Sequence, residues 1–189
     1  MKKLVLLLSC LFLSQILINC GSNKKVKDTK SKISEYEVLQ ITKKEILSND
    51  GTKIIKVPVI SLKSYGVEVD SRKLSEKSAI ENATSRFSNL IKKKFNDAFD
   101  ENSSSLNKSS KDVLRSVIKT STNNIISNLI PGKIITEQKP NGNYLSLAEV
   151  KISGKEFKGI LTNSKSNLSY EEIEKTKDFF KAVDDILDK

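Results

Sequence analysis

The sequence predicts an α+β fold, in which a long amphipathic helix packs on a small antiparallel sheet and an extra helix lies at the C-terminal end. Two hairpin signals, Asp50-Gly51 and Asn141-Gly142, each lie between segments of strand-like sequence. Between these hairpins, apolar residues recur at three- and four-residue steps along residues 79–99, which is the periodicity of a helix with one buried face. We therefore expect residues 35–189 to form a single α+β domain.

The N-terminal residues have the pattern of an export signal. Lys2 and Lys3 precede an apolar run at residues 4–18, and this run is shorter than the ~20 residues of a bilayer-spanning helix. We expect residues 1–19 to be a cleaved signal peptide and exclude them from the fold.

Residues 17–20 resemble the lipobox of bacterial lipoproteins, with Asn19 in a position typical of the looser boxes of spirochaetes. The resemblance implies that Cys20 is lipidated with diacylglyceryl and palmitate chains, whereas an ordinary cleaved signal peptide is the alternative. Cys10 lies too close to Lys3 for a working apolar core. Residues 20–34 then form a flexible basic tether, and we expect attachment to the outer membrane, on its periplasmic or its surface face.

Composition excludes several kinds of chemistry. The chain carries a formal charge of +10 and has no histidine. Removal of residues 1–19 leaves Cys20 as the single cysteine and 31 basic against 23 acidic residues, a formal charge of +8. The usual zinc sites, Ser-His-Asp triads and Cys-His dyads cannot be built without His or a free thiol. We expect no catalytic residue, no cofactor, no metal and no disulfide.

Residues 36–60 are expected to form the first hairpin. Apolar residues alternate with polar ones from Tyr36, residues 49–51 supply a tight turn, and residues 52–60 return as a β-branched strand. Pro58 has no N–H to donate, so the later half of this return strand is expected at an edge or a bulge.

The long helix is expected to begin near Asp70 or Ser71, because either side chain can cap the first N–H groups. One face carries large and small apolar residues: Ala79, Ile80, Ala83, Phe87, Leu90, Ile91, Phe95, Ala98 and Phe99. The alanines near its start predict a tapering contact that is closest at the N-terminal end of the helix.

A shorter helix is predicted over residues 111–122, after a serine-rich loop. Residues 124–130 and 133–138 have strand-like sequences on either side of a turn at Pro131-Gly132.

The second hairpin joins residues 133–138 to residues 144–152 through a turn at 140–143. A short strand is expected near Phe157. Ser169 and Glu172 form a capping-box pattern that starts the last helix, whose apolar residues are Ile173, Phe179, Phe180, Val183, Ile186 and Leu187.

This order of elements resembles a family of small bacterial envelope lipoproteins typified by the twenty-kilodalton Helicobacter lipoprotein, and the related N-terminal domain of the flagellar T-ring protein. The resemblance covers residues 74–152. It depends on the helix with spaced alanines, the serine-rich loop, the second helix and a hairpin containing Ile134-Ile135, Asn141-Gly142-Asn143-Tyr144 and Val150. It implies a helix on a small antiparallel sheet, anchored in the envelope and often antigenic, and no catalytic residues.

Several charged patterns in the sequence are candidate sites. The pairs Glu171/Glu172 and Asp184/Asp185 are adjacent on a predicted helix, so their carboxylates point about 100° apart and do not converge on one substrate atom. Residues 49–51 and 141–143 lack the spaced acidic ligands of an EF-hand, so we interpret both as turns.

The basic run at residues 92–94 has no interleaved aromatic residue for base stacking. We interpret it as a solvated helix side or a contact for acidic envelope polymers, and we expect no nucleic acid partner.

These observations predict a lipid-anchored, non-enzymatic binding or structural lipoprotein. Its partners would be the membrane, through acylated Cys20, and an anionic envelope or host protein. Two alternatives remain: a host-facing adhesin or antigen, and a carboxylate-dependent envelope hydrolase. A buried carboxylate with a strongly shifted pKa would favour the hydrolase. A contiguous exposed apolar patch would favour a binding surface.

Overall fold

The predicted α+β fold is confirmed by a computed structural model that describes residues 39–47 and 52–185, all within one unit, Ser34–Lys189. Its strands are β1 (Gln40–Leu47), β2 (Ile54–Tyr65), β3 (Ile130–Gln138) and β4 (Tyr144–Ser153). Its helices are α1 (Arg72–Asn102), α2 (Lys108–Ser127), α3 (Gly154–Ser166) and α4 (Tyr170–Asp184). The strands form one antiparallel sheet in the order β1-β2-β4-β3. The expected signal peptide 1–19, tether 20–34 and turn 49–51 lie outside the described residues.

β1 and β2 form the predicted first hairpin, but the expected edge position of the later half of β2 is wrong. β2 pairs with β1 on one side and with β4 on the other, and it extends to Tyr65. Pro58 lies one residue before Val59↔Ser153, the first pair between β2 and β4. On the β4 side, Pro58 lies beside Gly154, which is already the first residue of α3. The ladder with β4 therefore begins after the residue that lacks an N–H.

β3 and β4 form the second hairpin, and Gly142 in its turn has a φ of 87°, a conformation that glycine adopts without a steric penalty. The predicted turn at Pro131-Gly132 is wrong, because both residues lie within β3. The register between β3 and β4 instead shifts between Pro131 and Ile134, so the break is a bulge inside the strand.

α1 begins as predicted, with Ser71 as its N-cap accepting a hydrogen bond from the Leu74 N–H. Its buried face matches the expected one except that Ile80 and Leu90 are only half-buried. The buried residues of α1 are Ser75, Ala79, Ala83, Phe87, Ile91, Phe95, Ala98 and Phe99.

The small residues of α1 allow the close approach that the sequence predicts. Ser75, Ala79 and Ala83 have no solvent exposure. The chain leaving β2 passes against Ser75 and Ala79 at Gly66, whose N–H donates to the carbonyl of Ser146 in β4 at 2.9 Å. A methyl group at Gly66 would lie 2.6 Å from the backbone nitrogen of Ala79, so only glycine fits there without movement of the helix.

α2 extends five residues past its predicted end, to Ser127, and the strand predicted over residues 124–130 is wrong. Ile125 is fully buried as part of the helix, so packing against the core overrides the strand preference of the β-branched pair Ile125-Ile126.

The short strand expected near Phe157 is also wrong, because these residues form α3. Ser153 and Glu156 make a capping box at its start, with both reciprocal hydrogen bonds present. Phe157 and Leu161, four residues apart, are buried on one side of this helix. Helical spacing and the cap together explain the outcome.

α4 starts at the predicted capping box, in which Ser169 accepts from the Glu172 N–H and Glu172 accepts from the Ser169 N–H. Phe179, Phe180 and Val183 are buried, whereas Ile186 and Leu187 lie outside the described residues. The predicted C-terminal helix is confirmed.

One hydrophobic core joins all four helices to a single face of the sheet. The sheet contributes Ile60 and Leu62 from β2 with Val150 and Ile152 from β4. Residues from α1, α2, α3 and α4 complete the same cluster. In β4 these buried residues alternate with half-buried ones, so the two faces of the sheet differ. No helix of the described residues covers the second face.

Candidate binding surfaces

The residues singled out from sequence do not come together in one site. Cys20, the expected lipidation site, lies outside the described residues. Glu171 and Glu172 lie in the first turn of α4, and Glu172 is used in the helix cap. Asp184 and Asp185 are exposed at the other end of that helix. Within residues 39–47 and 52–185, no group of three or more potential protein ligands could hold a metal ion.

The turn at residues 141–143 uses its asparagines as donors. Asn141 donates from Nδ2 to Glu68 Oε1 at 2.8 Å, and Asn143 donates to the same oxygen at 3.3 Å. These two hydrogen bonds lower the pKa of the exposed Glu68 carboxyl, and the bond from Asn141 has the larger effect. The turn therefore ties the hairpin to the segment before α1.

The second face of the sheet, which we call the open face, carries an apolar row across three strands. Tyr65 of β2 pairs with Leu147 of β4, and Leu147 pairs with Ile135 of β3. Directly opposite residues share a face in an antiparallel sheet. Leu147 is half-buried, while Tyr65 and Ile135 are 38% and 51% exposed.

Five charged side chains share the open face with this row. By register, Lys63, Glu137 and Glu149 each lie two residues from a member of the row. Lys151 lies four residues from Leu147, and Lys44 pairs with Val57 at the other end of the face. Glu137 already pairs with Lys139 at 2.7 Å, so the cations exceed the free carboxylates. A shallow depression of about 580 Å³ lies at the other end of the face, with Val57 and Val59 among its lining residues. The open face is thus partly apolar and predominantly basic.

A second candidate surface is the groove between α1 and α2, with a volume of about 710 Å³. α1 lines it with side chains at four-residue spacing: Ser88, Lys92, Asn96 and Asp100. α2 lines it with two such rows: Arg115, Lys119 and Asn123, and Ile118, Thr122 and Ile126. Residues four apart lie on the same side of a helix, so the two helices present facing stripes. Phe99 of α1 completes the wall.

Cations predominate in this groove. No carboxylate of the described residues forms an ion pair with Lys92 or Lys119. The Arg115 guanidinium donates to Asp112 Oδ1 at 3.1 Å and lies 5.3 Å from the centre of the Phe99 ring. Asp100 is the one carboxylate among the lining residues.

A buried hydroxyl in the groove wall has no partner. Thr122 is 5% exposed, and its Oγ1 makes no hydrogen bond. Ser75 Oγ is the other such atom of the described residues, and it lies in the contact between α1 and Gly66 rather than beside a cavity. Buried polar side chains are usually hydrogen-bonded, so Thr122 requires an explanation.

Sequence reasoning missed both surfaces. The basic run at residues 92–94 was interpreted as a solvated helix side or a contact for acidic polymers, and the four-residue spacing of Ser88, Lys92, Asn96 and Asp100 was the available signal. The row Tyr65, Leu147 and Ile135 depends on strand register, which no short-range pattern supplies.

None of the described helices combines the length and the apolar character needed to cross a membrane. Comparisons with protein-family models, with curated proteins and with solved structures find no match to this chain.

Proposed function

We propose that the chain is a lipid-anchored, non-enzymatic binding lipoprotein of the bacterial outer membrane, which holds a protein partner on its open face. The observation that carries this proposal is the apolar row Tyr65, Leu147 and Ile135 on a sheet face that no described helix covers. Exposed apolar groups that are contiguous and have a polar surround are typical of protein interaction sites.

The charge of the open face specifies the chemistry of the partner. Lys63 lies next to the apolar row, and Lys151 and Lys44 lie farther along the same face, where Glu149 is the carboxylate that Lys139 does not engage. A protein with an apolar strip bordered by acidic side chains complements this arrangement. Its binding is expected to weaken at high salt, because exposed charges are screened.

The ionisable groups favour binding over hydrolysis. A general acid requires a carboxyl with a raised pKa, usually through burial. The pKa values of Glu68, Glu76 and Glu172 are instead lowered, mainly by hydrogen bonds from Asn141, Arg72 and the Ser169 backbone, respectively. All three are surface groups that stay ionised at neutral pH and stabilise turns, strands and helix ends.

Membership in the envelope lipoprotein family, acylation of Cys20 and the outer-membrane location are parts of the same proposal. Supporting features are the lipobox-like residues 17–20 and the packing of α1 on an antiparallel sheet that contains the β3–β4 hairpin. A surface-exposed protein with this architecture would also be accessible as an antigen.

The proposal is tested by replacing Ile135 with Ser on immobilised residues 21–189. Ile135→Ser should abolish capture of a protein partner from envelope extracts of the native bacterium, and high salt should weaken the capture by the unmodified protein. Tyr170→Ser is the matched control, because Tyr170 is 80% exposed on α4, away from the open face. Equal capture by the Ile135→Ser variant and the unmodified protein would contradict the assignment of the open face.

The non-enzymatic part requires a separate test. Residues 21–189 should show no turnover of peptidoglycan, glycoside or ester substrates. Turnover that disappears when one named carboxylate is replaced by its amide would exclude the non-enzymatic proposal.

A further inference from the structure

We propose that the groove between α1 and α2 binds the phosphate group of a small phosphate ester. This inference is independent of the open face, since none of the residues that line the groove belongs to the sheet. It depends on three observations: the charge of the groove, the contacts of Arg115 and the unpartnered hydroxyl of Thr122.

The charge balance of the groove fits phosphate. Lys92 of α1 and Arg115 and Lys119 of α2 line it, and Asp100 is the one carboxylate among the lining residues. The excess of cations is therefore two, and Asp112, which pairs with Arg115, reduces it to one. A phosphate ester carries one to two negative charges near neutral pH. Its phosphate group thus matches the net charge of the groove.

Arg115 makes two contacts at the edge of the groove, although its side chain is 62% exposed. Asp112 accepts a hydrogen bond from Nη1, and the ring of Phe99 lies under the guanidinium. Arginine has five N–H groups, so this contact leaves others free to donate to phosphate oxygens. The planar fork of a guanidinium loses less conformational entropy for each hydrogen bond that it forms than a lysine does.

Thr122 supplies a donor that nothing in the described structure uses. Thr122 lines the groove and is only 5% exposed, and its Oγ1 has no hydrogen-bond partner. Threonine in a helix divides between two χ1 rotamers, which exchange the hydroxyl and the methyl group. Rotation about χ1 can therefore turn the O–H toward a phosphate oxygen without moving the helix backbone.

The rest of the groove indicates what the phosphate is attached to. Its volume of about 710 Å³ exceeds that of a phosphate ion, and Ile118, Ile126 and Phe99 add apolar contact beside the cations. A small organic group esterified to the phosphate would fill this space. Such an ester can be soluble, or it can be the head of a phospholipid.

The first experiment measures phosphate binding by the full chain in detergent, at constant ionic strength with NaCl as the reference. Inorganic phosphate should raise the melting temperature, because a ligand that binds the folded state stabilises it. Lys119→Gln and Arg115→Gln should each raise the Kd about tenfold, equivalent to about 1.4 kcal/mol. Lys93→Gln is the matched control, since Lys93 is exposed on α1 and does not line the groove.

Thr122→Val separates a ligand contact from an ordinary buried hydroxyl. We expect it to raise the melting temperature of the phosphate-free protein and to weaken phosphate binding. A rise in melting temperature with unchanged phosphate affinity would overturn the role of Thr122. The site as a whole would be overturned if phosphate and NaCl had equal effects, or if Lys93→Gln and Lys119→Gln weakened binding equally.

A second set of measurements distinguishes the two sources of phosphate. One arm adds glycerol 3-phosphate to the protein in detergent. The other reconstitutes the full chain in phosphatidylcholine vesicles, with or without phosphatidic acid. If the ligand stabilises the protein only in the first arm, and Arg115→Gln removes this effect, the ligand is a soluble ester. If the effect occurs only in the second arm and Arg115→Gln removes it, the ligand is a lipid head group. Stabilisation in both arms indicates a site for either source, and none in either arm contradicts the proposal.

The phosphate measurements also distinguish this site from the proposed partner surface. Ile135→Ser should leave phosphate binding unchanged, because Ile135 lies on the open face. Loss of phosphate binding in that variant would overturn the independence of the two surfaces.

Discussion

Replacement of Gly66 by alanine tests the contact that holds α1 against the end of β2. A methyl group there would lie 2.6 Å from both the Ala79 nitrogen and the Ser75 carbonyl oxygen. Ordinary van der Waals contact begins at 3.4 Å, so the two segments would have to separate by about 0.8 Å. Both atoms belong to the helix backbone, and no side-chain rotation relieves the overlap.

The expected loss of stability follows from two opposing effects. Overpacking typically costs about 1–3 kcal/mol. Replacement of glycine by alanine also reduces the entropy of the unfolded chain, which stabilises the fold by about 0.4–1 kcal/mol. The midpoints of these two ranges differ by about 1.3 kcal/mol, which is the net loss expected for Gly66→Ala. At about 2–4 °C for each kcal/mol in a domain of this size, the melting temperature should fall by about 3–5 °C.

The measurement is thermal unfolding of residues 21–189 followed by circular dichroism. Gly159→Ala is the matched control, because no atom lies within 4 Å of a methyl group placed at that position in α3. This control should gain about 0.5–1 kcal/mol. If Gly66→Ala melted at or above the temperature of the unmodified protein, the close packing of α1 at this point would be refuted.

Three further predictions address the core, the charge on α1 and the anchor. Phe87→Ala should lower the free energy of unfolding by about 3–5 kcal/mol, because Phe87 has no solvent exposure. Lys93→Ala should change it by less than about 0.5 kcal/mol, because Lys93 is exposed. Equal values for the two variants in urea unfolding would place the core elsewhere. The hydrogen bond from Arg72 lowers the pKa of Glu76 in the folded protein. The stabilisation from this hydrogen bond is therefore present above the unfolded pKa near 4.5 and is lost as the pH falls through the lower folded pKa. Glu76→Gln should reduce the slope of stability against pH in this acidic range, and an unchanged slope would contradict the pairing. Cys20→Ala should abolish labelling by a fatty-acid analogue and leave an unprocessed precursor. Labelling that is lost only when Cys10 is replaced would show that Cys10, and not Cys20, is the lipidated cysteine.

The sequence predicted elements whose signals are local. The turn at 140–143 has its own conformational preference, and Ser169 with Glu172 marks the start of α4 through two reciprocal hydrogen bonds. The long α1 was predictable because its apolar residues repeat over many turns. α3 had equally local signals, Ser153 three residues before Glu156 and the helical spacing from Phe157, but a short apolar run also fits a strand.

Composition by itself excludes the sites that need histidine, which are the usual zinc sites, Ser-His-Asp triads and Cys-His dyads, because the sequence has no histidine at any position. Only the tertiary structure decided where Pro58 lies in the sheet, which residues share the open face and that Lys92 and Arg115 line one groove. These facts depend on register and on helix pairing between residues distant in sequence. Local propensity does not determine either of them, because both follow from which apolar faces are buried together.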